Sequence, residues 1–451
     1  MRVTSMLAEF IGKSRFEDCP PAAVDAARRA ITDCLGVMLA GSTEPAARIV
    51  QTVAQAEGGT PLCTIVGTGR RTGGVWAALA NGTAAHALDF DDTNFAMMGH
   101  PSAPVLAAAL AAGELGLATG QDLVHAFLLG FEVETTVAEV INPAHYEHGW
   151  HATCTLGTLG AAAAASRLLG LDIAQTATAL AVAASQASGL KENFGTMTKP
   201  FHAGHAARSG VLAALLAREG WTASEQAIEG PQGYLHAFSA GRRELGRARD
   251  ARRAVEDHDH GRGRQALSVL RLHALDHRRR ARAPPHACAP ALADRLGRHR
   301  REPGGAEHPD PPDPKNGLEA KFSGEFSAAA ALIDGRVGIA TFGDGKVRDP
   351  EVRALMGRVT MVVDPEIPGE LERHMWTRVT IRLADGRTLS IGPRQVPGHP
   401  GHPLTPAALE EKFAECAGLV LPADRVGALA EMLRRLDACP DLRSLTAVLG
   451  P

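Results

Sequence analysis

Between about residues 20 and 220 the chain offers little but helix. "PAAVDAARRAITDCLGVMLAG", "GGVWAALANGTAAHAL", "SAPVLAAALAAGELG", "TGQDLVHAFLLGFEVETTVAEVI", "TLGTLGAAAAASRLLGL", "DIAQTATALAVAASQA" and "HAGHAARSGVLAALLAREG" follow one another, with apolar residues recurring every three or four positions. Several of these blocks are apolar nearly all round and rich in Ala and Gly, the pattern of central helices whose small side chains let neighbouring backbones approach closely. Aromatics make up only 4% of the chain, so tight helix-on-helix packing rather than a sheet-rich core is expected. Pro21, Thr119 and Asp172 stand where a first-turn or N-cap residue belongs. The expectation is a mainly α fold built on one large all-helical domain.

Later the period changes. "GRVTMVVDPEI" and "TRVTIRLADGRTLSI" alternate β-branched with polar residues, and Asp385-Gly386 is a two-residue hairpin signal. After "VPGHPGHPLTP" the helical period returns, with Thr405 and Pro406 as a helix start. The resulting partition is a helical domain over 1–240, a smaller α+β domain over 316–403, and C-terminal helices over 404–451 that return to the helical domain and make it discontinuous. Residues 241–315 fit none of this. From Gly241 to Pro314 there are 17 arginines and seven histidines but no lysine and no aromatic residue. A basic linker and a phosphate-binding run "HRRRAR" are two readings. A third is a frameshifted stretch of GC-rich coding sequence, which yields this composition when translated out of frame.

With 47 Lys plus Arg against 50 Asp plus Glu the net charge is −3, which argues against a globally basic nucleic-acid binder. The seven cysteines, at 19, 34, 63, 154, 288, 416 and 439, show no short ligand spacing, so neither an iron–sulfur cluster nor a zinc site is signalled. A reduced cytoplasm suits them. The start, "MRVTSMLAEFIGKSRFEDCPP", is too charged for a signal peptide, and no run of about 18 uncharged apolar residues suggests a membrane span.

Three motifs could carry chemistry. In "HALDFDDTN" helical geometry would put His86 and Asp89 on one face, with Asp91, Asp92 and Thr93 at or past the helix end. Capping, cation binding or a carboxylate that orients the later His100 would each account for them. In "NPAHYEHGWHATCTLGTLG" the histidines 145, 148 and 151 are spaced by three, yet Pro143 and Gly149 favour a loop. A single His151 at a helix entrance, kept neutral and able to accept a proton, is favoured over metal ligation by all three. In "GLKENFGTMTKPFHAGHAARSG" Lys199 precedes a proline expected to break regular structure, and His202, His205 and Arg208 follow. Basic groups at a helix entrance are either a solvated helix start or a place to hold carboxylates.

"NGTAAHALDFDDT", "GHPSAPVLAAALAAGE", "GWHATCTLGTLGAAAAASRLLGLD" and "TKPFHAGHAARSGVLAALLA", taken in this order, resemble the MmgE/PrpD family over roughly residues 5 to 240 and 316 to 451. That family includes 2-methylcitrate dehydratase, cis-aconitate decarboxylase and iminodisuccinate epimerase. The resemblance implies a large helical domain completed by C-terminal helices, a smaller α+β lid domain, and usually a homodimer with its site in a cleft between the domains. It also implies metal-independent, cofactor-free chemistry on small di- or tricarboxylates; the charge balance and the lack of an apolar span lead us to expect no nucleic-acid or membrane partner.

Carried over residue by residue, the resemblance implies catalytic roles for Asp89, His100 and His151, and substrate binding by Thr93, Lys199 and His202. An imidazole would remove a proton α to a carboxylate, a second group would protonate whatever departs, and fixed positive charge would stabilise the carbanion-like state. Relatives carry a lysine, a "YP" and a histidine early in the lid, for which the Arg-rich tract holds no equivalent. Phe326 stands where relatives often have a tyrosine. The expected activity is elimination of water in the manner of a 2-methylcitrate dehydratase, with an epimerase or decarboxylase as the alternative. A catalytically inactive helical homodimer is the alternative from another class.

Overall fold

The computed structural model describes residues 2–239, 313–362, 376–395, 397–398 and 403–451. All but the last three residues of the anomalous tract at 241–315 lie outside them. The described residues fall into two compact units, one within Met1–Asn193, Met197–His286 and Leu404–Pro451, the other within Phe194–Thr196 and Ala287–Pro403.

The first unit is helical. Helices α1 (Val3–Lys13), α2 (Pro21–Gly41) and α3 (Pro45–Glu57) lead to a small antiparallel hairpin of β1 (Cys63–Ile65) and β2 (Arg70–Thr72). Then come α4 (Gly74–Ala87), α5 (Ser102–Gly116), α6 (Gly120–Ile141), the short α7 (Ala144–Glu147), α8 (Ala152–Leu168), α9 (Ile173–Gln186), α10 (Thr198–Arg218) and α11 (Tyr234–Phe238). The caps are where local chemistry puts them. Thr119 and Asp172 each begin a helix with a reciprocal capping box, to Asp122 and Gln175, so two otherwise orphaned N–H groups are satisfied at each end. The hairpin interrupts what the sequence pattern presents as unbroken helix. Its turn residues Gly67 and Gly69 have φ of 77° and 65°, a conformation that favours glycine.

Helices α4, α5 and α8 are buried along nearly their full length, as blocks apolar all round must be. What lets them pack is the absence of side chains at the crossings. A Cβ placed on Gly82 of α4 would lie 2.7 Å from the Cα of Gly204 on α10, and one on Gly204 would lie 2.3 Å from the Leu79 carbonyl oxygen. Backbone therefore rests on backbone, and α4 and α10 are held at a separation that no larger residue permits.

The last residues rejoin this unit as α16 (Pro406–Ala417), α17 (Ala423–Arg434) and α18 (Leu442–Thr446), numbered after the helices of the second unit. Thr405 caps α16 by accepting from the Ala408 N–H, with Pro406 in its first turn. Phe413 of α16 packs over Gly36 of α2, where a Cβ would come within 3.0 Å of its ring.

The second unit contains α12 (Gly317–Ala320), α13 (Gly324–Asp334), α14 (Asp344–Val347), α15 (Pro350–Met356) and an antiparallel hairpin of β3 (Trp376–Arg382) and β4 (Thr388–Gln395). Asp385-Gly386 does mark the turn. The Leu383 N–H donates to the Arg387 carbonyl at 2.8 Å, so the loop has three residues rather than two, ending on Gly386 at φ 87°. "GRVTMVVDPEI" is no strand over its described part, 357–362. Its Met361 instead packs against Gly324 at the start of α13, because alternation sets which side chains face inward but does not supply a pairing strand. Phe326 is fully buried in this unit's core, its ring 6.0 Å from that of Phe342.

Gly204→Ala should force α4 and α10 apart, since the added methyl meets backbone that cannot rotate away. Overpacking of this kind costs about 1–3 kcal/mol, to be read as a lower midpoint of denaturant unfolding with an unchanged m-value. A wild-type midpoint would show that the crossing is looser than described.

Candidate active site

Helix α4 stops just before the three clustered acids, and the way it stops assigns each of them a different task. Asp89 adopts a left-handed conformation, φ 54°, which aspartate tolerates better than most residues. The chain turns back under the helix, so the partner of His86 is Asp91 and not Asp89 as helical spacing suggests. Nδ1 of His86 lies 3.0 and 2.9 Å from the two Asp91 carboxylate oxygens. Asp92 accepts from the Ser102 N–H at 3.2 Å and its hydroxyl at 2.6 Å, and so caps α5. Asp89 is left to face Lys199, whose ammonium donates to Oδ1 at 2.6 Å.

Lys199 sits in the first turn of α10, with Pro200 beside it. The proline thus begins a helix rather than breaking one, as suits a residue with no N–H to lose there. His202, three residues on, points the same way. Its Nδ1 is 3.0 Å from Nδ1 of His151, the N-cap residue of α8, so one ring donates and the other accepts. His100 lies between the acids, with Nε2 3.5 Å from Asp89 and Nδ1 3.4 Å from Asp91. The His86 ring is 4.4 Å from that of His100 and 5.8 Å from that of His151. Three helix entrances and one helix end therefore bring Asp89, His100, His151, Lys199 and His202 together.

The other sequence candidates stand apart. Thr93 is half-buried just after Asp92, with no hydrogen bond to these groups among the described residues. The three histidines spaced by three diverge: His145 is taken up by the Thr155 hydroxyl at 2.7 Å and the Phe238 carbonyl at 3.0 Å, while His148 is exposed. Conversely, His86 and Asp91 turn out to be at the centre of the arrangement. Their signal was the density of carboxylates after a helix, but only the left-handed turn at Asp89 decides which acid meets which ring.

Burial is the largest influence on every charge here, and neighbours decide where it loses. It pushes Asp89 up, but Lys199, His100 and His86 outweigh it and bring the carboxyl down to about 2. Asp91 is likewise held well below the usual carboxylate range by His86 and His100 against the cost of burial. Burial pushes His100 down, yet Asp91 and Asp89 hold it above an ordinary histidine. His86 and His151 are both lowered by burial, and His202 is lowered to about 4. His100 is thereby raised where the imidazoles around it are lowered. His86, Asp89, Asp91 and His100 also bring one donor atom each within 4.8 Å of one another, a mixed nitrogen and oxygen set of a type divalent cations accept. The carboxylates among them are already engaged by Lys199 and His86.

Among known proteins, the MmgE/PrpD N-terminal domain matches residues 5–244 and the MmgE/PrpD C-terminal domain residues 300–438. The span after 244 and before 300, within the Arg-rich tract, is matched by neither. The chain is similar to a cis-aconitate decarboxylase of Mus musculus, 29% identical over 461 residues covering 100% of this chain and 94% of that protein. A Homo sapiens cis-aconitate decarboxylase is 29% identical over 440 residues, 95% of this chain and 90% of that one. An Aspergillus terreus protein of the same name is 30% identical over 248 residues, 53% and 50% of the two chains. Among the described residues no helix is long and apolar enough to cross a membrane.

Asp92 offers a test of this charge arrangement. Burial, with Asp91 and Asp33 nearby, raises its carboxyl to about 7 despite the Ser102 hydrogen bonds. A folded value above the unfolded one of roughly 3.9 means that the proton stabilises the fold. That contribution is complete below the unfolded pKa and is lost as pH rises through about 7. The urea midpoint of Asp92→Asn, which titrates nothing there, should therefore rise relative to that of the wild type as pH increases across this window. Parallel wild-type and variant curves would place the titration elsewhere.

Proposed function

We propose that this chain, which belongs to the MmgE/PrpD family, is a decarboxylase of a small unsaturated tricarboxylate, with cis-aconitate as the substrate its relatives' names supply. Elimination of water, the first expectation from sequence, gives way to its decarboxylase alternative because the relatives spanning nearly the whole chain carry that activity in their names. The observation that supports the chemistry is the placement of His100 between Asp89 and Asp91, at 3.5 and 3.4 Å, which favours a proton on this buried imidazole.

The residues divide the work as follows. The Lys199 ammonium offers fixed positive charge to a substrate carboxylate and to the anionic charge that develops during reaction. The carboxylate on the CH₂ arm leaves as carbon dioxide, and the electron pair of the broken C–C bond becomes a new double bond to the central carbon. The former double-bond pair moves to the far alkene carbon and takes the proton of His100 there. The product is a dicarboxylate with a terminal methylene, and His100 recovers its proton from water. Of the neutral pair His151 and His202, the ring that accepts at Nδ1 carries its proton on Nε2 and can donate it to a substrate oxygen without adding charge. Asp91, through His86, orients the ring beside His100.

Proton NMR of the purified protein in deuterated water tests this. cis-Aconitate should yield carbon dioxide and a methylene-bearing dicarboxylate with one deuterium at the newly protonated carbon. His100→Gln should lower kcat about 10²–10⁴-fold, the usual worth of a positioned acid, with an unchanged melting curve. Conversion of 2-methylcitrate without decarboxylation of cis-aconitate would reinstate the dehydratase, and inertness towards both would favour the inactive helical protein.

A further inference from the structure

We infer that Lys412, on C-terminal helix α16, is a positioning residue that fixes the backbone between Asp89 and Asp91 and so sets the clamp on His100. The inference rests on the active-site reading above but asks a separate question: what holds the two carboxylates at their spacing? Phe90 is the residue between them, and the Nζ of Lys412 donates to its carbonyl oxygen at 2.8 Å, across 322 residues of sequence. The same ammonium lies 4.2 Å from the centroid of the Phe90 ring, so it grips both the peptide and the side chain. It also pairs with Asp33 of α2 at 2.7 Å, with the lysine and aspartate side chains only 5% and 2% exposed.

A buried lysine is costly unless its charge is met, and Asp33 meets it. If stability alone were at issue, two apolar residues would serve as well or better there. What the pair adds is direction. Asp33 is anchored on α2, one turn before Gly36, where Phe413 of α16 packs. Lys412 and Phe413 therefore seat α16 where the ammonium reaches the Phe90 carbonyl. Asp89, in a left-handed conformation, immediately precedes Phe90 and Asp91 immediately follows it, so the Phe90 backbone carries both carboxylates.

The test separates position from stability with Lys412→Met alone and with the neutral pair Asp33→Asn/Lys412→Met. The single variant should melt lower, because Asp33 loses its lysine, and the double variant should regain most of that loss. In both, measured below their melting temperatures, the titration midpoint of the His100 imidazole, followed by its ¹⁵N shifts, should fall relative to the wild type. In the double variant kcat should fall about 10²-fold, as for a misplacement on the order of 1 Å, while KM changes little. Lys412→Arg, which keeps a charged donor, should retain the wild-type His100 titration. Wild-type His100 shifts in the double variant would overturn the inference whatever the activity. A wild-type protein that turns over no tricarboxylate would defeat the proposed function and leave the shift measurement decisive for Lys412.

Discussion

The 2.6 Å contact between the Lys199 ammonium and the Asp89 carboxylate is what turns a pair of packed helices into a site. Helices α4 and α10 would lie together without it, since Gly82 and Gly204 let their backbones touch. What the contact adds is a fixed rotation, with the first turn of α10 facing the end of α4. Both groups are removed from water, and a buried ion pair of this kind seldom stabilises a fold better than apolar residues would. Its worth is that charge is already in place when an anion arrives, with little left to reorganise.

The remaining charges follow from the same economy of space. Two carboxylates, Asp89 and Asp91, lie against one ammonium and one raised imidazole, and the rest of the surrounding imidazoles are neutral. Asp92, one residue further on, is instead raised by burial and spent on the cap of α5. Three adjacent acids thus differ in charge not by type but by what each faces. Ala and Gly make this possible, because helices lined with larger side chains could not bring four imidazoles within about 6 Å of their neighbours.

Much of this was legible in the sequence, and the boundary of legibility is physical. The helices and the caps at Thr119, Asp172 and Thr405 depend on local hydrogen bonds and on a 3.6-residue period, both written in neighbouring residues. The turn at Asp385-Gly386 was visible for the same reason, although its length by one residue was not. Motif resemblance drew attention to Asp89, His100, His151, Lys199 and His202, which the fold brings together. It missed the pairing of His86 with Asp91, because that depends on a single left-handed residue reversing the chain, and periodicity carries no information about such a reversal. The hairpin at 63–72 and the non-strand course of 357–362 were hidden likewise, since whether a short extended segment finds a partner is settled by distant residues.

The route of the chain has a consequence for its synthesis. The carbonyl of Phe90 meets its lysine only after 322 further residues have been joined, and at roughly 5–20 residues per second the ribosome takes tens of seconds to deliver it. The first ten helices can collapse on one another in that interval, but the loop bearing the paired acids stays without its last fastening until α16 emerges. A nascent or truncated chain without α16 would therefore hold the chemical groups but lack the Lys412 contact to the Phe90 carbonyl.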